Sequence, residues 1–395
     1  MNPVKKIGKY TQMYSQKVLK REKNVIVFGA WLGERFTDNS MQLFLEASEI
    51  KALKCVWVTK NKDVYKQIRS MGLKVVMWGS EHAVRVHKRA GYAVVSNGIS
   101  DVMHEYLGGA VILDLWHGIP LKKIGFDDNI KKNYDSFSQK TKRFFKYFPF
   151  KDIYYFAPSE NFRDIYKSAF RTDDKHVITL GQPRCDCFFA DDDSDGVVRE
   201  LNTVEKYFPS KKIILYCPTH RQEGKVEIKL DEIFNLDSLE NFLQNKDYYL
   251  VVKKHFYHKD EDESEVLRKY NRIIDITKED YDIQKLVMEC KLLITDYSSI
   301  YIDYLLLNKP LLFYCYDYDN YLKNDREMYF PYEEVTPGNK AYDFEGLIEN
   351  LHTFSEESVE FGRDERERLK NFFYCSKGQK RVGHEIISMI VNDKF

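Results

Sequence analysis

Hydroxyl and acidic side chains that could bind a phosphate follow one of the predicted strands. In the segment 294–314 the strand ends at Asp296, and Ser298 and Ser299 follow where a helix begins. Hydroxyls and free backbone amides at a helix start can cap the helix or bind a phosphate, because the positive end of the helix dipole favours an anion. Asp303 lies further along the same helix. The segment by itself predicts either a cap or a phosphate site.

A histidine follows a second predicted strand, in LDLWHGIPLKKIG at 113–125. The strand brings His117 to its end, and Gly118 and Pro120 predict a tight turn immediately after it. An imidazole in that place can act as a general base near neutral pH, although a lone histidine is more often structural. The glycine, the proline and the two lysines that follow favour an active site that handles anions.

Three further segments bring cations or hydroxyls to strand ends. Thr219 and Arg221 follow a strand in YCPTHRQ, where an arginine can bind a phosphate through two parallel hydrogen bonds or simply lie on the surface. His255 follows two lysines in VVKKH, and Arg184 lies in GQPRCD, just before the expected domain boundary. All four residues are therefore candidates for an anion site.

Metal and cofactor motifs are absent from the sequence. Cys185 and Cys187 form a C-x-C pair, but structural zinc usually needs four ligands and no second pair has matching spacing. No carboxylate cluster suggests a required metal, since Asp296 and Asp303 are seven residues apart. The sequence contains neither G-x-G-x-x-G nor a P-loop. We predict no metal and no cofactor.

The elements that must position these residues alternate between strands and helices. Short apolar, β-branched runs predict buried strands. In the first half they cover 24–31, 54–60, 73–79, 92–98, 110–116, 152–158 and 176–183. After the acidic linker 190–196 they cover 211–218, 248–255, 272–277, 291–296 and 309–316. Strands that alternate with helices predict parallel sheets, in which ligands bind at the carboxyl ends of the strands.

The chain is long enough for about two domains, since it has 395 residues. The acidic linker separates two runs of alternating strands and helices, and so predicts an α/β fold with two Rossmann-like domains facing each other. We place the N-terminal domain at 1–189 and the C-terminal domain at 190–375. The tail ends in an apolar helical pattern, so 376–395 is predicted to form a helix that packs back on the body.

Composition excludes several classes of protein. Hydrophobic residues make up 43% of the chain, which argues against disorder, and seven cysteines are an odd number for a disulfide scaffold. Basic and acidic residues number 61 each, so the net charge of zero argues against a nucleic-acid partner. The sequence has no apolar window that spans a membrane and no signal peptide at its N-terminus, so we predict a cytoplasmic protein.

A basic aromatic segment at 131–152 interrupts the alternation of strands and helices, as an insertion covering about 126–152 would. Basic side chains with embedded aromatic rings suit an anionic membrane surface, where each Lys or Arg contributes about 1 kcal/mol. A core helix with a charged face and a nucleic-acid site are the alternatives. The residues predicted to contact the membrane are Lys142, Arg143, Phe144, Phe145, Lys146 and Phe148.

Several segments, taken in order, resemble the CDP-glycerol glycerophosphotransferase family, the teichoic acid primases and polymerases, over nearly the whole chain. They are GERFTDN (33–39), WHGIPLKKIG (116–125), APSENF (157–162), GQPRCD (181–186), CPTHR (217–221), the block 296–321 and MYFPYEEVTPG (328–338). The chain departs from the family at Ile119, where threonine is usual, and at KKH (253–255), where R-M-H is more common.

The resemblance implies a GT-B fold, with an active site between two Rossmann-like domains and a CDP-polyol bound mainly by the C-terminal one. The functional histidines of the family correspond to His117 and His255. The expected donor-binding residues are Arg221, Thr219, Ser298, Ser299, Asp303, Arg184, Gly118 and Pro120. The membrane-contacting region of the family follows its H-G-T-P motif, where 131–152 lies in this chain.

The function that the resemblance implies is transfer of a polyol-phosphate, glycerol-phosphate foremost, from a CDP-polyol. The acceptor would be a hydroxyl of a membrane-linked saccharide or of a teichoic or capsular polymer, and CMP would be released at the cytoplasmic face of the cell membrane. His117 would act as general base, while His255, Arg221 and the serines would stabilise the departing phosphate. A GT-B glycosyltransferase that uses a nucleotide sugar is the alternative.

Overall fold

The computed structural model describes residues 11–12, 14–128, 150–189, 207–255, 258, 261, 263–279, 281–325, 327–357, 362–374 and 381–395. These residues form two compact units. Unit 1 comprises the described residues of Met1–Gly118, Gly125–Thr203 and Tyr374–Phe395, and unit 2 those of Ile119–Ile124 and Val204–Phe373.

Unit 1 contains a parallel sheet that has seven strands within the described residues. They are β1 (Glu22–Gly29), β2 (Lys54–Thr59), β3 (Val75–Met77), β4 (Ala90–Val95), β5 (Val111–Asp114), β6 (Ile153–Ala157) and β7 (Val177–Thr179). The order is β3-β2-β1-β4-β5-β6-β7, and all neighbours are parallel. The strand order reverses between β1 and β4, which is where sheets of this type place their ligands.

Alternate residues of β1 enter two different apolar cores. Ile26 and Phe28 pack in one cluster together with Trp57, whereas Val25 and Val27 pack in the other. Because successive side chains of a strand point to opposite faces, the sheet is buried on both sides. This double burial is the reason that the strands are continuous apolar runs in the sequence.

Helices α1 (Asp38–Ser48), α2 (Lys62–Ser70), α3 (Glu81–Arg89) and α4 (Arg163–Phe170) connect the strands of unit 1. Two of them begin at side chains that accept hydrogen bonds from the first turn. Asn61 accepts from the backbone N–H of Asp63, and Ser80 accepts from that of Ala83. These caps satisfy amides that would otherwise lack a partner within the helix.

Unit 2 contains a second parallel sheet, with six strands in the part of the chain that the structure describes. They are β8 (Ile213–Cys217), β9 (Tyr249–Val252), β10 (Ile273–Asp275), β11 (Leu292–Thr295), β12 (Leu311–Tyr314) and β13 (Lys340–Ala341). The order is β10-β9-β8-β11-β12-β13. The prediction of an α/β fold built on parallel sheets is therefore confirmed, and β13 is a strand that the sequence pattern did not indicate.

The helices of unit 2 are mostly short. They are α5 (Leu230–Ile233), α6 (Leu236–Lys246), α7 (Ser264–Leu267), α8 (Ile283–Glu289), α9 (Ile300–Leu305), α10 (Tyr318–Asn324), α11 (Tyr332–Val335), α12 (Phe344–Glu357) and α13 (Arg363–Phe373). Helix α9 follows β11 directly and carries the predicted Asp303, whereas α6 and α12 supply much of the apolar cluster on the sheet.

The C-terminal helix α14 (Val382–Val391) belongs to unit 1 rather than to the unit that precedes it in the chain. Its residues Ile386 and Ile390 are buried in the same cluster as Phe28. The backbone N–H groups of Val382 and Gly383 donate to the Asp186 carboxylate at 3.0 and 2.7 Å. Asp186 thus satisfies amides at the start of α14.

Residues 119–124 were placed within the N-terminal domain by the sequence, yet they pack with unit 2. Lys122 forms an antiparallel bridge with Met328, and the backbone N–H of Tyr329 donates to Leu121 at 3.0 Å. The motif WHGIPLK is therefore divided between the units, because the chain leaves unit 1 after Gly118.

Candidate active site

His117 follows β5 in a loop that has an unusual backbone. Trp116 has a φ of +59° and Gly118 a φ of +146°, both on the positive side. A left-handed conformation costs a residue with a side chain about 1–3 kcal/mol, so it persists only where surrounding contacts hold it. The loop that presents His117 is therefore strained and must be fixed from outside.

The imidazole of His117 is oriented by a hydrogen bond to the backbone. Its Nδ1 lies 3.1 Å from the carbonyl oxygen of Ser96. A carbonyl only accepts, so Nδ1 carries the proton and Nε2 of the neutral ring carries the lone pair. The rings of Trp116 and Trp31 lie 4.2 and 5.8 Å from the imidazole, centroid to centroid. This is the tautomer that a general base acting through Nε2 requires.

Arg184, a predicted donor-binding residue, contacts the His117 loop. Its Nη1 donates to Asp38 Oδ1 at 3.0 Å and to the carbonyl oxygen of His117 at 2.8 Å. Its backbone N–H donates to Asn39 Oδ1 at 3.1 Å. Contact of Arg184 with a donor stays a prediction, since its contacts to Asp38 and His117 lie within unit 1.

Two buried carboxyl groups lie near the same loop and were missed by the sequence reasoning. Asp114 is the last residue of β5, and burial, together with the charge of Asp101, raises its pKa to about 8. Burial also raises the pKa of Asp101, to about 6, against the effect of hydrogen bonds from three backbone amides. A polar residue at the end of an apolar strand was the available signal for Asp114.

In unit 2, Arg221 is the centre of a buried ionic network. Its Nη2 donates to Asp296 Oδ2 at 2.9 Å, and its Nε donates to Asp317 Oδ2 at 2.6 Å. Nη1 donates to the carbonyl oxygen of Thr219. Burial alone would lower the pKa of Arg221, but the two carboxylates outweigh it and raise that pKa. The guanidinium therefore remains charged while it is only 5% exposed.

Three aromatic rings complete the surroundings of that guanidinium. The centroids of Tyr297, Tyr316 and Tyr321 lie 5.1–5.4 Å from its central carbon. Cations over ring faces gain electrostatic stabilisation, which increases when water is excluded. Since Arg221 already donates to two carboxylates and a carbonyl, direct contact with a donor phosphate would compete with these bonds, and that contact stays a prediction.

The other hydroxyl candidates of unit 2 lie at the carboxyl ends of β8 and β11. The backbone N–H of Thr219 donates to Asp296 Oδ1 at 2.8 Å, while Thr219 Oγ1 is buried without a hydrogen-bond partner among the described residues. Ser298 Oγ accepts from the N–H of Ile300 at 3.4 Å. Ser299 is the N-cap residue of α9, and its side chain makes no capping bond. Asp296 thus links Thr219 to the start of the serine turn.

Asp303 lies within the protein rather than at its surface. Its side chain is fully buried in α9 and accepts from Gln284 Nε2 at 3.0 Å. A buried carboxylate needs such partners because its charge is costly without them. The bond joins α9 to α8, so the structure shows Asp303 holding these two helices together; a direct contact with a polyol stays a prediction.

His255 lies in the loop after β9, next to a second histidine that sequence reasoning did not select. The rings of His255 and His220 are in edge-to-face contact, with centroids 4.8 Å apart. His220 lies between Thr219 and Arg221 in the CPTHR segment, which was the signal that could have identified it. The carboxyl ends of β8 and β9 therefore bring two imidazoles together.

Lys254, the residue before His255, is a buried cation. Its Nζ contacts Glu263 Oε1 at 2.6 Å and Glu261 Oε2 at 3.0 Å, and it donates to the carbonyl of Ile228. Burial alone would lower the pKa of Lys254, but the carboxylates raise it. The buried ammonium group of Lys254 is therefore compensated by two acidic partners on the loop that follows.

The remaining predicted residues divide between the two units and the undescribed part of the chain. Gly118 ends the unit 1 segment, and Pro120 is buried in the 119–124 segment of unit 2. The predicted membrane-contacting residues lie outside the described residues: Lys142, Arg143, Phe144, Phe145, Lys146 and Phe148. None of the helices in the described ranges combines the length and apolar character needed to cross a bilayer.

No group of three or more histidine, cysteine, aspartate or glutamate side chains within the described ranges is arranged to hold a metal ion. The candidate residues offer other chemistry. Unit 1 presents a histidine whose Nδ1 is bonded to a backbone carbonyl, and unit 2 presents hydroxyls, imidazoles and a helix start. Such groups suit proton abstraction and the binding of phosphate oxygens.

Comparison with known proteins gives a family match over most of the chain. The model of the family described as CDP-Glycerol:Poly(glycerophosphate) glycerophosphotransferase matches residues 11–391. A teichoic acid poly(glycerol phosphate) polymerase of Bacillus spizizenii is 28% identical over 389 residues, covering 94% of this chain and 93% of that protein. A teichoic acid glycerol-phosphate transferase of Staphylococcus aureus is 26% identical over 379 residues, covering 91% and 92%.

The fold is also similar to that of a solved structure, the wall teichoic acid polymerase TagF. The superposition has a TM-score of 0.76 and 23% sequence identity, and it covers 99% of this chain and 95% of that one. At this identity the similarity establishes the fold alone.

The Arg221 network predicts a selective loss of stability in unit 2. Asp296→Asn should lower its free energy of unfolding by about 3 kcal/mol, since removal of one partner leaves a buried charge less compensated. Urea denaturation followed by far-UV circular dichroism should show the loss. Tryptophan fluorescence reports the transition of unit 1 in the same samples, because all four tryptophans lie there. Asp237→Asn, which alters an exposed ion pair, is the control; an unchanged Asp296→Asn transition contradicts the prediction.

The buried carboxyl of Asp114 predicts a pH dependence of stability in unit 1. Its native pKa is about 8, whereas an unfolded aspartate titrates near about 4. The native state therefore binds more protons between these values. The stabilisation of the folded state by the protonated Asp114 carboxyl is complete below about pH 4, and it is lost as the pH rises through about 8. Asp114→Asn does not titrate there, so its stability relative to the wild type should increase from pH 5 to pH 8.

Urea denaturation followed by tryptophan fluorescence measures this difference at each pH. Asp63→Asn, at an exposed position of the same unit, is the control and should show no such trend. A difference between Asp114→Asn and the wild type that stays constant over this pH range would show that Asp114 is ionised throughout.

Proposed function

This chain belongs to the CDP-glycerol:poly(glycerophosphate) glycerophosphotransferase family, and we propose that it transfers glycerol-phosphate from CDP-glycerol to a hydroxyl of a teichoic acid chain, releasing CMP. The observation that carries the proposal is the family match over residues 11–391. The relatives named above transfer glycerol-phosphate and match at more than nine-tenths of their own length. The reaction class is thus a CDP-polyol phosphotransferase.

The proposed reaction is an in-line displacement at the β-phosphorus of the donor. The acceptor hydroxyl oxygen forms the new bond to phosphorus, and the bond to the bridging oxygen of CMP breaks. The proton of the hydroxyl passes to His117 Nε2, which the hydrogen bond from Nδ1 to Ser96 leaves as the basic nitrogen. Phosphoryl transfer depends mainly on positioning and charge stabilisation, and general-base help is worth about 10²–10⁴-fold.

We assign the donor diphosphate to unit 2. The supporting observations are the buried Thr219 hydroxyl, the Ser298–Ser299 turn and the imidazole of His255, which all follow strands at the carboxyl edge of the sheet. Hydroxyls, amides and an imidazole can stabilise the charge that develops on the departing CMP. In this proposal Arg221 acts indirectly, by holding the strand ends in place through its bonds to Asp296 and Asp317.

The proposal includes the GT-B arrangement expected from the resemblance, with unit 1 binding the acceptor. It also places the protein at the cytoplasmic face of the membrane, in contact with anionic lipid through 131–152. The support for the membrane contact is the composition of that segment, in which basic residues outnumber acidic ones and aromatic rings are frequent. A membrane-linked acceptor would then be presented at the same surface.

CMP release tests the reaction class and identifies the polyol. CDP-glycerol and CDP-ribitol should be offered in parallel, with a lipid-linked saccharide acceptor in anionic or neutral vesicles. We expect acceptor-dependent CMP from CDP-glycerol, faster with anionic vesicles because of the basic segment. UDP- and GDP-linked sugars are the control donors, and transfer from one of these would favour the nucleotide-sugar glycosyltransferase instead.

His117→Ala tests the assignment of the general base. The variant should bind CDP-glycerol with a dissociation constant within about twofold of the wild type, because the donor is assigned to unit 2. Turnover should fall by about 10²-fold or more, since the proton has no acceptor of matched pKa. His82→Ala, on the exposed surface of α3, is the matched control. Near-normal turnover by His117→Ala would rule His117 out as the base.

A further inference from the structure

The backbone on both sides of the His117 side chain is held by residues that the sequence did not assign to it. Trp116 is in the left-handed region, and His117 follows at once. A loop of this kind needs contacts that fix its carbonyl groups, because a strained backbone relaxes when it is free. Those contacts come from the start of α1 and from the 3-10 helix Pro183–Phe189.

Asn39 is the first of these contacts. It is fully buried, and its Nδ2 donates to the carbonyl oxygen of Trp116 at 2.9 Å and to Gln182 Oε1 at 2.7 Å. Its Oδ1 accepts from the backbone N–H of Arg184 at 3.1 Å. One side chain therefore joins the His117 loop to the segment after β7, and both ends of its amide are used in doing so.

Arg184 is the second contact. Its Nη1 bridges Asp38 Oδ1, at 3.0 Å, and the carbonyl oxygen of His117, at 2.8 Å. The side chains of Arg184 and Asp38 are only 11% and 8% exposed, so the bridge lies mostly away from water. Hydrogen bonds with a charged donor are shorter and stronger than neutral ones.

Ser40 connects the same helix start to the ring of His117. Its Oγ lies 2.7 Å from Ser96 Oγ, and its backbone N–H donates to that same atom at 3.0 Å. The carbonyl oxygen of Ser96 in turn accepts from His117 Nδ1 at 3.1 Å. Residues 38–40 thus hold both the backbone and, through Ser96, the imidazole of His117.

We propose that Asn39 and Arg184 are positioning residues, which set the direction of the His117 imidazole by fixing the carbonyl groups of Trp116 and His117. The proposal rests on the proposed function, in which His117 is the general base. Asp38 and Asn39, the last two residues of the GERFTDN segment, would then act in holding the His117 loop. Arg184 would hold the same loop rather than bind the CDP-polyol.

The expected effect is on turnover and not on donor affinity. Displacement of a reacting group by about 1 Å can cost about 10²-fold in rate. Loss of either contact should therefore lower kcat about 10- to 100-fold, while the dissociation constant of CDP-glycerol stays within about twofold. A donor-binding Arg184 would give the opposite pattern, with weaker binding of the donor.

Two variants remove the contacts without leaving a buried charge unpaired. The double variant Asp38→Asn/Arg184→Met removes the guanidinium N–H that bonds the His117 carbonyl. Asparagine at position 38 keeps an oxygen that can accept from the backbone N–H of Asn39. Asn39→Ser removes the amide that holds Trp116. Arg163→Met is the matched control, because Arg163 pairs with Asp174 in the same unit and makes no bond to the His117 loop in the described contacts. Thermal unfolding verifies that each variant is folded.

The proposal predicts reduced kcat and unchanged donor affinity in both test variants, with Arg163→Met like the wild type. Weaker CDP-glycerol binding at unchanged kcat would overturn it, because Arg184 would then contact the donor. Wild-type kcat in both folded test variants would overturn it as well.

A second readout needs no substrate. In protein labelled with ¹⁵N-histidine, the His117 ring signals can be assigned by their loss in His117→Gln. Both test variants should shift the tautomer away from the Nδ1-protonated form, whereas Arg163→Met should not. An unchanged tautomer and unchanged kcat together refute the positioning role. If the wild type releases no CMP but the tautomer still shifts, the positioning role stands and the proposed reaction fails.

Discussion

The arrangement of the strand ends in unit 2 depends on the buried guanidinium of Arg221. Arg221 follows β8, Asp296 follows β11 and Asp317 follows β12, so the ion pairs join the carboxyl ends of three strands. A guanidinium that is almost wholly buried must remain paired, because an isolated charge in the protein interior is very costly. The serine turn begins two residues after Asp296, and its position is therefore set by the same network.

In unit 1 the loops at the strand ends are also held by side-chain hydrogen bonds, and several of these come from neutral side chains. An amide side chain, Asn39, bonds the carbonyl oxygen of Trp116, and the Ser40–Ser96 pair leads to the ring of His117. The Asp38–Arg184 ion pair and the carboxyl group of Asp101 also hold strand-end loops of this unit.

The sequence was sufficient for the class of the fold and for the candidate strand ends. Buried parallel strands are continuous apolar runs, and this local signal identified β1, β4, β5, β8, β9 and β11. Polar residues immediately after these runs gave His117, Arg221, Ser298 and His255, since the carboxyl ends of parallel strands converge. Strand β13 was missed because two residues carry no periodic pattern.

Only the tertiary structure decided what these residues touch. Arg221 meets Asp296 and Asp317 across 75 and 96 residues of sequence, and Asn39 meets Trp116 across 77. Such pairs depend on strand order and loop geometry, which no local spacing encodes. Composition and pattern thus determined which side chains could do chemistry. Packing determined that Arg221 joins the ends of three strands, that Asp303 joins two helices and that Arg184 contacts the His117 loop.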